Sequence, residues 1–159
     1  MTSNLVIDAL RFLIACLFVF ILLLQVVFLP QLAADMARDL PAEAYMRWPM
    51  LIFSIAGLAC VQMIGVCTIV LLGRVRHGEV FWASAVRWVD GIIISLLAGA
   101  VICLATALHN WFTVSGPPLW GLLLLLGTVS GVALALLMLV MRSLLTQATT
   151  LRLDLDEVI

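Results

Sequence analysis

The stretch WPMLIFSIAGLACVQMIGVCTIVLLG, Trp48 to Gly73, contains no charged residue. A hydrocarbon core about 30 Å thick is crossed by roughly 20 apolar residues in a helix. Inside lipid the backbone has no water to bond, so such a segment must satisfy its N–H and C=O groups within itself. Apolar and polar residues do not alternate along it, which excludes a strand of a membrane barrel. The stretch therefore predicts a transmembrane helix, and the rest of the chain is read outward from it.

Three further runs have the same character. Phe12 to Leu29 is broken only by Gln25 and is expected to be stopped by Pro30. Gly91 to Leu108 is the next, and Leu119 to Met141 opens after Pro117 and Pro118. The composition agrees: 65% of residues are hydrophobic and 11% charged, against about 45–50% and 25% in a soluble domain. The expected fold is all-α, a polytopic membrane protein built as a four-transmembrane-helix bundle, with a short external interfacial helix and an amphipathic C-terminal cytoplasmic helix. The whole chain, 1–159, reads as one membrane domain. Its spans fall at about 9–29, 49–72, 88–108 and 119–142, joined by an external loop 30–48, a cytoplasmic turn 73–86 and an external loop 109–118, with a tail 143–159. The first run is expected to be an uncleaved anchor. It is longer than a secretory apolar core, and Pro30 separates it from Ala33 and Ala34.

The arginines predict the orientation. Helix alternation puts Arg11, Arg74, Arg76, Arg87, Arg142 and Arg152 on one side and leaves only Arg38 and Arg47 on the other. Basic residues concentrate on the cytoplasmic side, so both termini are expected there, in a bacterial cytoplasmic (plasma) membrane. The net charge of −1 excludes the basic face that nucleic acid requires.

Two flanking segments are amphipathic. In QLAADMARDL, Gln31 to Leu40, the residues Leu32, Met36 and Leu40 share a helix face. A short helix lying on the outer surface is expected, ended by Pro41, with Tyr45 and Trp48 at headgroup depth. In the tail, Leu144, Leu145, Ala148, Leu151 and Leu155 form an apolar stripe. It is expected to pack on the turn of the same chain or on a partner.

Chemistry-bearing residues are few. His77 and His109 lie on opposite sides of the membrane and do not meet on one haem. Cys16, Cys60, Cys67 and Cys103 sit inside apolar runs with no CxxC pair, and read as small packing residues. No carboxylate or arginine stands at mid-bilayer, which argues against ion-coupled transport and paired-carboxylate catalysis. No catalytic residue, metal ligand or cofactor is expected. The intramembrane polar residues are Gln25 and Gln62, and Gln62 is expected to hydrogen-bond across the bundle. Gly127 and Gly131, in GTVSG, allow another helix to approach closely, within the chain or between chains.

The turn LLGRVRHGEVFWASAVRWVDGI, Leu71 to Ile92, gathers the residues for structural or partner contact: Arg74, Arg76, Phe81, Arg87, Trp88 and Asp90. Asp90 follows Arg87 by three positions, which places both on one helix face. A clamp between them, extended to Arg11 or Arg74, is expected, with Asp90 near a helix N-terminus where the dipole favours it.

The helix end FLPQLA, the entry PAEAYMRWPML, this turn with its RWVDGI, and the ending LLTQATTLRLDLDEVI together resemble the bacterial four-helix membrane family catalogued as domain of unknown function 2975, in its actinobacterial form. The resemblance covers nearly the whole chain. It implies a membrane bundle and no assigned activity. Family members often lie beside small helix-turn-helix regulators, which implies a regulatory or stress-linked role.

The expected function is therefore non-enzymatic: an integral membrane protein acting through contacts as an accessory, scaffold or regulatory subunit. The alternative is a sensor of a hydrophobic small molecule within the bundle, linked to a cytoplasmic transcription regulator. The partners implied are the lipid bilayer and either another membrane protein or a second copy of the chain, with no nucleic acid directly.

Overall fold

The computed structural model describes residues 2–39, 41–76, 83–113 and 118–156. Every described element is helical: α1 (Thr2–Leu23), a π-helical segment (Leu24–Phe28), α2 (Leu29–Asp39), a 3-10 segment (Pro41–Met46), α3 (Arg47–Arg76), α4 (Ala83–Thr113) and α5 (Pro118–Asp156). Four stretches are long and apolar enough to cross a membrane: Leu5–Asp39, Ala44–Arg74, Val86–Thr113 and Leu119–Ala148.

Pro30 does not stop the first helix, contrary to the expectation. The chain stays helical through it to Asp39. A proline inside a helix lacks its N–H and its ring presses on the carbonyl four residues back, here Val26. One π-helical turn just before it absorbs that clash, with the Leu29 N–H donating to the Leu24 carbonyl. α2 thus continues α1 directly. On it, Arg38 pairs with Asp35 at 3.2 Å, both well exposed, an ion pair worth a few tenths of a kcal/mol. Leu40, the third member of the expected apolar face, lies outside the described residues.

The turn between the second and third spans is shorter than 73–86. α3 runs on to Arg76 and α4 begins at Ala83. Asp90 therefore sits about two turns inside α4, where the end-of-helix dipole has faded. Pro49 is accommodated because it falls in the first turn of α3, whose N–H groups have no intrahelical acceptor. α5 has 39 residues, about 58 Å at 1.5 Å per residue, nearly twice the hydrocarbon thickness.

The spanning helices pack in series: α1 on α3, α3 on α4, α4 on α5. Among the described residues no comparable contact joins α1 to α5, so these helices form an open row rather than a closed square. α4, with a neighbour on each side, holds more buried residues than any other described helix: Ile92, Ile93, Ser95 and Ala100. Small residues make these contacts close. A Cβ on Gly91 would lie 3.0 Å from Cys67 Sγ, and one on Gly99 would lie 3.7 Å from Cys60 Cβ. On the other flank, a Cβ on Gly127 would meet Cys103 Sγ at 3.4 Å and one on Gly131 would meet Ala100 Cβ at 3.1 Å. GTVSG thus packs within the chain, against α4. Ala135, one turn further along α5, is fully buried. Thr68, Ser95, Thr106 and Thr128 donate to carbonyls four residues back in their own helices, at 2.7, 2.8, 2.7 and 3.0 Å, so these four hydroxyls are satisfied without a partner from lipid.

Candidate functional site

The polar residues of the described structure collect at two depths and one seam. The first depth lies at the end of the row that carries both termini. Asp90 on α4 is held by Arg142 on α5: Arg142 Nε pairs with Oδ1, and Nη2 donates to Oδ2 at 3.3 Å. One hydrogen bond and one close charge contact hold the guanidinium against both carboxylate oxygens. The side chains are 42% and 39% exposed, so solvent screens much of the attraction. The expected partner, Arg87, is exposed and takes no part. The reason is depth. Arg142 is the first charge after the apolar run of α5, and Asp90 is the last before that of α4. In antiparallel neighbours those two positions coincide.

Arg11 belongs to the same layer. Gly65 faces Ile14, and Gly91 faces Cys67. One turn towards the termini, this register sets Arg11 level with Thr68 and Asp90. The Arg11 guanidinium lies directly against Gly73, where a Cβ would collide with Nη2. Its Nε is buried without a hydrogen-bond partner. Arg74 and Asp8, nearby in sequence, have interactions of their own. Trp88 is half-buried on α4. Arg76 is in α3, with no side-chain placement described, and Phe81 lies outside the described residues. Of the six turn residues singled out from sequence, Asp90 is placed in an ion pair and Arg87 stands outside it. The partner of Asp90, Arg142, was not foreseen, whereas Arg11, expected near the clamp, does share its layer.

The seam runs between α1 and α3. Gln25 Nε2 donates to the Ile55 carbonyl at 3.3 Å, from within the π-helical turn. Gln62 is seven residues after Ile55, on the same face of α3. Its Nε2 is buried and has no partner, so the expected bond across the bundle is not made. Ile21, opposite, is buried.

The second depth is the far end. His109 tilts at 60° to Phe53 with ring centroids 6.0 Å apart, and Arg47 stacks over its neighbour Trp48 at 5.5 Å. Arg47 Nε, His109 Nε2 and both amide atoms of Asn110 are buried and unpartnered. By the register, His109 faces α3 and Asn110 faces α5, so they do not converge. Among the described residues no three acidic, histidine or cysteine side chains are placed to hold a metal ion.

Four helices in a row are each long and apolar enough to cross a membrane, with the described charges towards their ends, an architecture consistent with a multi-pass helical membrane protein. Residues 31–159 match the family model described as "Protein of unknown function (DUF2975)", and the chain belongs to that family. No curated protein and no solved structure matches it.

Proposed function

We propose that this protein acts through contacts, as a non-enzymatic accessory, scaffold or regulatory subunit of a membrane assembly. One observation carries the reading. The first and last helices outrun the uncharged runs 12–29 and 119–141, α2 at one end and the tail of α5 at the other, and both present uncovered apolar side chains there. Leu32 and Met36 are 59% and 58% exposed and Leu144 is 55% exposed. Apolar side chains beyond the hydrocarbon core have no lipid tail to rest on, and grouped on one helix face they suit a partner helix. The arginine distribution supports a bacterial plasma-membrane location with both termini in the cytoplasm, which reporter fusions at each terminus test.

The test is chemical cross-linking in the native host, mild extraction and mass spectrometry. A reproducible stoichiometric partner, lost when Leu32, Met36 and Leu144 are changed to Ser in a protein that still inserts, is expected. Recovery of this chain with itself alone would defeat the accessory reading.

A second reading is favoured by Gln62, whose unpartnered Nε2 lies buried in the α1–α3 seam. A hydrophobic ligand bearing one acceptor would satisfy it, making the protein a small-molecule sensor that signals to a cytoplasmic regulator. Ligand-dependent protection against unfolding, abolished by Gln62→Leu, would shift the weight to this reading.

A further inference from the structure

Among the described residues Arg11, at the edge of the apolar layer, has no ion-pair partner. It lies inside the apolar stretch that starts at Leu5, level with the Asp90–Arg142 pair. A charge at that depth is costly unless it reaches water or an opposite charge. Its side chain runs back towards the termini, as long basic side chains do at a membrane edge. It comes to rest on Gly73, where the missing side chain gives the guanidinium room. Among the described residues no carboxylate pairs with it: Asp90 is taken by Arg142, and Asp8 is engaged elsewhere. Only Nε is enclosed without a partner. The flanking Phe12 and Leu13 are 72% and 65% exposed, on the surface that lipid tails cover.

We propose that Arg11, seated on Gly73, anchors the phosphate of an anionic lipid headgroup in the leaflet on the side of the termini. The guanidinium presents two N–H groups in a plane, which matches two phosphate oxygens. α1 beside α3 gives the acyl chains an apolar surface to follow. A lipid held there bridges two helices whose mutual packing is lighter than that between α3, α4 and α5.

The experiment uses the full chain in detergent, titrated with phosphatidylglycerol, with phosphatidylcholine of the same acyl chains, and with inorganic phosphate, bound lipid being read by native mass spectrometry. Phosphatidylglycerol is expected to bind at least tenfold more tightly than phosphatidylcholine. Arg11→Ala should remove that preference and Arg11→Lys should keep only part of it, since an ammonium has the charge without the fork. Gly73→Ala is the second variant. It displaces only the flexible end of Arg11, so the helical circular dichroism should be unchanged while the preference falls. Equal binding of both lipids, or a preference that survives Arg11→Ala, overturns the proposal. Displacement of phosphatidylglycerol by millimolar inorganic phosphate overturns the lipid assignment and makes the site one for free phosphate.

Discussion

Arg142 and Asp90, 52 positions apart, meet in a two-pronged ion pair that ties α5 to α4 at the edge of the apolar layer. Asp90→Asn and Arg142→Gln should each destabilise the chain by about 1 kcal/mol, since both side chains are partly exposed. The double variant should cost little more than either single one, which a double-mutant cycle of unfolding in detergent measures. Exchanging the two residues should restore most of the loss. An Asp90→Asn protein of unchanged stability that loses a partner would instead make Asp90 a binding residue.

The glycines of α5 differ sharply in what surrounds them. Gly131 is pressed against Ala100, both its Cβ and Cα, while a side chain on Gly121 would meet nothing within 4 Å. Gly131→Val should force α5 away from α4 and cost about 1–3 kcal/mol. Gly121→Ala should be neutral or slightly stabilising, since alanine is the better helix former. Thermal unfolding of the two variants side by side checks the contrast.

The two glutamines predict opposite signs. Gln25→Leu removes a bond from α1 to the Ile55 carbonyl and should weaken the α1–α3 contact by about 0.6 kcal/mol. Gln62→Leu removes a buried donor that has no acceptor, so it should be neutral or stabilising. A distance label pair across α1 and α3, followed through denaturation, reads both effects on the helix pair itself.

Much of this architecture is legible in the sequence, for a plain physical reason. Lipid tolerates charge so poorly that the runs Trp48 to Gly73 and Leu119 to Met141 announce their helices without any alignment. Helix ends are harder, because they depend on the chain's local options. Pro30 looks like a stop, yet one π-helical turn costs less than ending a helix and exposing its carbonyls. The ion pair was misassigned because Arg87 is near Asp90 in sequence, whereas partners in a membrane are chosen by depth. Arg142 could have been found by matching the first and last charges of adjacent spans. Gly127 and Gly131 carried a packing signal without an address. The register of α5 on α4 supplies it, and no periodicity in either helix encodes that register. The same is true of Arg11, whose place in the layer follows from Ile14 facing Gly65.

The claim that this chain works through its projecting helix ends is tested most directly by a photo-crosslinking residue placed at Met36, at Leu144 and, as control, at Leu126 in mid-span, where the side chain is 64% exposed. In the native membrane, Met36 and Leu144 should each capture a defined protein in high yield, while Leu126 captures lipid. If all three positions capture only lipid, the ends are not contact surfaces and the account is wrong.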